Sequence, residues 1–230
     1  MFEVQDLCAW YGEAQALRNV SFNVQPGELV TLVGRNGAGK TTALHVIMGL
    51  HPQSSGRISL DGVDLSAWPP HRRAQAGLGY VPDDRGIYAS LTVEENLCLP
   101  PAVGPQPWSL DHVYAMFPAL KARRTFPGTK LSGGEQQMLA IARVLRMGAQ
   151  VLLLDEPTEG LAPVLVQQVG EILREVKTQG LTVLLVEQNL RFATALADRH
   201  YLLAEGMIVE TMDNEQVIKR EDELLEHLGV

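Results

Sequence analysis

Gly34-Arg35-Asn36-Gly37-Ala38-Gly39-Lys40-Thr41-Thr42 fits the pattern G-x-x-x-x-G-K-[ST]. The run before it, Glu28-Leu29-Val30-Thr31-Leu32-Val33, is apolar and β-branched and predicts a buried strand. The run after it, Thr41 to Met48, predicts a helix. Strand, glycine loop and helix start form the context in which this pattern cradles phosphate. Glycines at 34, 37 and 39 let the chain turn tightly around an anion. The backbone N–H groups of the loop, from Arg35 and Asn36 through Ala38 to Thr42, then converge as a nest, and the positive end of the helix dipole faces the same point. Lys40 supplies a point charge for the β- and γ-phosphates of a nucleotide, and the Thr41 hydroxyl can hold Mg²⁺.

The bulk composition narrows the classes that could use such a loop. A net charge of −8 argues against non-specific nucleic-acid binding, because a phosphate backbone repels such a surface. The two cysteines, Cys8 and Cys98, offer no disulfide framework and suit a reducing compartment. The N-terminal residues, Met1-Phe2-Glu3-Val4-Gln5-Asp6, lack a basic region and an apolar core, so no signal peptide is expected. No apolar run approaches the ~20 residues of a membrane span, so any membrane role is expected to run through a partner. The six histidines show no metal-ligand spacing.

Outward from the loop, Phe2–Trp10, Val20–Val24 and Arg57–Leu60 predict short strands that do not alternate with helices, hence an antiparallel patch. Leu78–Val81 predicts a buried strand. From Leu91 to Arg146 no run reads as a core strand. Thr92 with Glu95 is a capping box, Ser109 caps a helix through Phe117, and a further helix runs from the Leu131-Ser132-Gly133-Gly134 string to about Arg146. Beyond it come an apolar strand Val151–Leu154, a helix Pro163–Gln179, a strand Leu181–Val186, a helix to Ala197, a hairpin Tyr201–Thr211 and a helical tail Asn214–Leu228. Apolar strands alternating with amphipathic helices imply an α/β fold with a parallel sheet covered on both faces. Ligands of such sheets sit at the carboxyl ends of the strands, where Lys40, Asp155 and Gln188 all fall.

Asp155 closes an apolar strand, the place for a carboxylate that reaches Mg²⁺ through Thr41 and water. Glu156, one residue on, can accept a proton from a water attacking the γ-phosphate. Leu131-Ser132-Gly133-Gly134-Glu135-Gln136 combines a small hydroxyl, two glycines and a helix start, the ingredients of a second anion site. One nucleotide needs only one such site from a chain, so this one is expected to face the nucleotide of another subunit.

Leu131 to Gln136 resembles the signature sequence of the ATP-binding-cassette (ABC) family. The phosphate loop and Val151 to Pro157 match that family's two Walker motifs in order and spacing. The resemblance spans essentially the whole chain, residues 1–230, as one ATPase domain. It implies a P-loop NTPase (RecA-like) core with an antiparallel β subdomain and a helical subdomain, roughly residues 84–148, that carries the signature. It also implies a head-to-tail pair of cassettes, with ATP between the phosphate loop of one and Ser132 to Glu135 of the other, and Tyr11 stacked on adenine. The strings Ala76–Leu97, Leu131–Ala142, Gly160–Pro163 and Val186–Asn189 resemble the smaller ATP-binding subunit of branched-chain amino-acid importers, with urea and amide importers close behind. In that group the subunit sits on a permease at the cytoplasmic face of the inner membrane and is fed by a periplasmic solute-binding protein. It pairs with a second cassette, identical or not. In the family Arg85–Leu91 meets the permease, which would make Ile87, Tyr88 and Leu91 an exposed apolar patch.

Three positions depart from the wider family. The usual switch histidine is Gln188, which can donate a hydrogen bond to the γ-phosphate but carries no charge. No ionisation of residue 188 should therefore shape the pH–rate profile near 6.5, and loss of such a limb in Gln188→Ala would contradict this. The position usually held by Gln or Glu is Asp83, shorter by one methylene or about 1.5 Å, so it is expected to reach Mg²⁺ through water. The loop Glu159-Gly160-Leu161-Ala162 lacks the usual Asp. These departures keep open a regulatory or scaffold cassette with weak hydrolysis, alongside a cassette for a lipid-extracting exporter.

Overall fold

A computed structural model describes residues 1–228, with 226–228 described by backbone alone. Two sheets organise it. Strands β1 (Phe2–Tyr11), β2 (Ala14–Val24), β4 (Ser54–Leu60) and β5 (Val63–Asp64) form an antiparallel sheet in the order β2-β1-β4-β5. The second sheet runs β10-β9-β3-β8-β7-β6, from β3 (Leu29–Val33), β6 (Leu78–Val81), β7 (Val151–Asp155), β8 (Thr182–Glu187), β9 (Arg199–Ala204) and β10 (Met207–Asp213). It is parallel except for β10, which turns back at Glu205-Gly206.

The period of two along each central strand sorts its side chains between two cores. Leu152 and Leu154 of β7 and Val183 and Leu185 of β8 enter one core with α6 (Gly133–Met147) and α7 (Pro163–Thr178). Val151, Leu153, Leu184 and Val186 enter the other, with α1 (Lys40–Met48) and the antiparallel sheet. Burial on both faces is why these strands read as continuous apolar runs. It also makes close approaches necessary: a Cβ on Gly79 of β6 would lie 2.1 Å from Val144 Cγ1 and 2.6 Å from Ala149 Cβ. Gly79→Ala is therefore expected to lower stability by about 1–3 kcal/mol in urea denaturation.

Between β6 and β7 the chain is helical: α3 (Val93–Cys98), α4 (Leu110–Met116), α5 (Pro118–Ala122), a 3₁₀ turn at Gly128–Lys130 and α6. The Thr92/Glu95 capping box and the Ser109 cap both form.

Several elements differ from the sequence reading. β2 begins at Ala14 rather than Val20, because pairing with β1 extends a stretch whose own pattern is weak. Helix α2 (Pro70–Gln75), unforeseen, carries the buried Arg73. That guanidinium donates to the Val46 and Ile47 carbonyls at 2.8 and 2.7 Å, capping the negative end of α1. The helix after β8, α8 (Leu190–Thr194), stops short of Ala197. The tail divides at Arg220 into α9 (Asn214–Lys219) and α10 (Glu221–Leu228). Of the expected apolar patch, Tyr88 is exposed, but Ile87 packs against the helical core.

Candidate active site

The phosphate loop joins β3 to α1, and its shape is set by close packing from behind. Gly39 has φ 108° and Gly37 φ 81°, both in the left-handed region. A Cβ on Gly39 would meet Leu17 Cδ2 at 2.8 Å and the Ala16 carbonyl at 3.1 Å. A Cβ on Gly34 would meet the Leu203 carbonyl at 2.4 Å. The β9–β10 turn pins the loop further, with Gly206 N–H donating to the Ala38 carbonyl at 3.0 Å. Gly39 is the N-cap of α1 and gives no side-chain cap, so the first N–H groups of that helix stay available to an anion.

Lys40 is buried, 4% exposed. Its Nζ donates to the Gly34 and Arg35 carbonyls at 2.8 and 3.1 Å and lies 3.0 Å from Glu156 Oε1. Glu156 follows β7 with φ 43°, a left-handed conformation unusual for a residue with a side chain. Its carboxylate contacts the Lys40 cation, and the residue lines a cleft of about 710 Å³ together with Thr158, Glu159, Glu187, Gln188 and Asn189.

Thr41 Oγ1 donates to Asp155 Oδ1 at 3.1 Å, and Tyr80 Oη donates to Asp155 Oδ2 at 3.1 Å. Burial is the main force that pushes the Asp155 carboxyl up to about 6; the two hydrogen bonds oppose it, and the charges of Asp83 and Glu156 add to it. Among the described residues no cation pairs with this buried carboxylate; with the Thr41 hydroxyl alongside it is a hard oxygen donor set, which fits Mg²⁺. Asp83, exposed at the end of β6, acts on Asp155 by its charge. Burial also lifts the Tyr80 hydroxyl above the usual phenol range and, with the nearby His51, lowers His45. Tyr11 is 56% exposed over the start of α1, its hydroxyl 3.3 Å from Thr42 Oγ1.

Ser132, Gly133, Gly134 and Glu135 lie at the start of α6. There Ser132 and Glu135 form a capping box: Ser132 N–H donates to Glu135 Oε2 at 2.8 Å, and Glu135 N–H to Ser132 Oγ at 3.3 Å. Ser132 is exposed. Gly134 packs against α7: a Cβ there would lie 2.6 Å from Leu165 Cδ2, so that side chain would have to shift. Among the described residues no hydrogen bond or ion pair joins this turn to the phosphate loop.

Glu187, Tyr80, His45 and Arg73 were not singled out from the sequence. Glu187 accepts from Thr158 Oγ1 at 2.8 Å and from the N–H groups of Thr158 and Asn189, tying the segment after Glu156 to the one holding Gln188. Burial, the leading cause, pushes its carboxyl from 4.5 up to about 7. The folded chain then holds the proton more tightly than the unfolded chain, so stability falls as pH rises between those values, by about 3 kcal/mol in all. Glu187→Gln is expected to flatten that slope, measured by urea denaturation at acidic, neutral and mildly alkaline pH.

An uncapped glycine-framed helix start and a buried lysine after β3, with a carboxylate pair at the end of β7, a parallel strand separated from β3 by β8, define a P-loop nucleotide-binding ATPase. Residues 17–159 match the ABC transporter family model. The chain is 42% identical over 212 residues to the high-affinity branched-chain amino acid transport ATP-binding protein BraG of Pseudomonas aeruginosa, covering 91% of each. It is 36% identical to the lipopolysaccharide export system ATP-binding protein LptB of Haemophilus influenzae, covering 98% of this chain and 95% of that one. Among solved structures, an ATP binding subunit of an ABC transporter aligns with TM-score 0.83 and 28% identity over 100% of both chains. A nucleotide-free ATP-binding cassette aligns with TM-score 0.86, 23% identity, 100% of this chain and 98% of that one, which bears on the fold alone. The chain belongs to the ABC transporter family and is an ATP-binding ATPase subunit of it. Such subunits work with membrane permease components, and among the described residues no helix is long and apolar enough to cross a membrane.

Proposed function

We propose that this subunit hydrolyses Mg-ATP to drive uptake of branched-chain amino acids, or a related small solute, through a partner permease at the cytoplasmic face of the membrane. The observation that carries the hydrolytic part is the Lys40–Glu156 contact beside the Thr41–Asp155 pair. The likeness to BraG over nine-tenths of the chain supports the solute class.

In this reading the triphosphate enters between the N–H groups of residues 34–42, with the adenine on Tyr11. Lys40 exchanges its carbonyl partners for β- and γ-phosphate oxygens and releases Glu156. Mg²⁺, when held by Thr41, by Asp155 through Thr41 and water, and by Asp83 through water, would supply charge neutralisation at the phosphates. Glu156 takes the proton of the water that attacks the γ-phosphorus, and the bond to the bridging oxygen breaks to leave ADP and phosphate. Gln188, on the same cleft, donates to the γ-phosphate. Residues 84–148 act as the helical subdomain, and Ser132 to Glu135 close on the triphosphate of an adjoining cassette, identical or not. ATP thus bridges two subunits and favours their closed arrangement. A periplasmic solute-binding protein would feed the permease.

The likeness to LptB favours a second reading, a cassette for a lipid-extracting exporter. Purification from the membrane with identification of the associated permease decides between them. An amino-acid permease supports import, and a lipid-exporting one overturns it. Steady-state ATPase activity that stays negligible with the permease present would instead favour a regulatory cassette.

A further inference from the structure

His45 and Tyr80 take no part in the steps above, yet both converge on the residue that closes β7. Tyr80 Oη donates to Asp155 Oδ2 at 3.1 Å, and the same oxygen lies 3.2 Å from His45 Nε2. A phenol has one proton to give. With that proton on the Asp155 side, the contact with His45 is an Nε2–H donating to the phenol oxygen. The hydrogen bonds therefore run in one direction, from α1 through β6 to β7, and fix the proton of the imidazole on Nε2. The two rings meet edge to face, 5.8 Å apart at 84°. Thr41 occupies the other carboxylate oxygen at 3.1 Å. Each oxygen of a fully buried carboxylate thus has one fixed donor, and the two together set its plane.

We propose that Tyr80, oriented by His45, is a positioning residue that holds Asp155 in the orientation needed to bind the Mg²⁺ of the nucleotide. The proposal rests on the reading of Thr41 and Asp155 as a metal-binding pair. Outer partners of this kind orient the groups that touch a metal and sharpen affinity for it without entering the chemistry.

The test is a Mn²⁺ titration of the purified chain with ADP, followed by electron paramagnetic resonance, with Asp155→Asn as the reference. Tyr80→Phe is expected to weaken Mn²⁺ binding about tenfold, while ADP affinity in EDTA and turnover at saturating Mg²⁺ stay close to those of the parent. His45→Phe should weaken it in the same sense, and His45→Gln, whose amide N–H can still donate to the phenol, should restore it. Unchanged Mn²⁺ affinity in Tyr80→Phe beside a loss in Asp155→Asn would overturn the proposal and leave the metal pair standing. Unchanged affinity in both would remove the metal pair as well. Loss of ADP binding in EDTA by Tyr80→Phe would also overturn it, since the residue would then support the whole site. Should Tyr80→Phe not fold, equal Mn²⁺ affinities for His45→Phe and His45→Gln contradict the proposal on the same readout.

Discussion

Glu156→Gln is expected to bind Mg-ATP and hold two cassettes together while turning over about 10²–10⁴-fold more slowly than the parent chain. The substitution keeps the shape of a side chain already held in a left-handed backbone conformation. It replaces one acceptor oxygen by an NH2 donor and removes the negative charge, and with it the ability to take a proton. Lys40 retains the Gly34 and Arg35 carbonyls, so the loop keeps its form without the Glu156 partner. Single-turnover hydrolysis and size-exclusion chromatography with ATP check both halves. Parent-like turnover would remove Glu156 as the base.

Lys40→Ala is expected to weaken ATP binding about 100-fold, on the order of 3 kcal/mol, within the range for truncating a buried charge-paired group. Its Nζ is held by two carbonyls and a carboxylate in a nearly dry position, so nothing from solvent can replace it. The same change leaves Glu156 without its cation. Fluorescent-nucleotide titration measures the loss, and affinity close to that of the parent would mean that the phosphates lie elsewhere.

Much of this site could be read from residues 34–42 because its chemistry is local. A glycine loop between a strand and a helix makes its own anion cradle from backbone, and backbone geometry follows from short-range sequence. Asp155 and Glu156 were legible for a related reason: an apolar strand ending in two acids places them at the carboxyl edge of a sheet. Tyr80, His45 and Glu187 were not, because their roles come from partners 75, 35 and 29 residues away. Tyr80 read only as part of a buried strand, and nothing near it announces Asp155. Arg73 was hidden in part for the same reason: besides the nearby Trp68 and Ser66 carbonyls, it donates to carbonyls 27 and 26 residues earlier. Ser132 to Glu135 show the reverse case. Their string is specific, yet within one chain the capping box and the contact of Gly134 with Leu165 explain much of it. In the proposed function, what the string adds beyond helix capping is contact with the nucleotide of a second subunit.

In the proposed function one triphosphate is gripped from two chains. A structure of the Glu156→Gln chain in its purified permease complex with Mg-ATP checks this. The triphosphate is expected against Gly37 to Thr41 on one side and the Ser132–Gly134 turn of the adjoining cassette, or the matching turn of a non-identical partner, on the other. A triphosphate away from Lys40, or one bound by a single chain with the adjoining turn facing away, would contradict it.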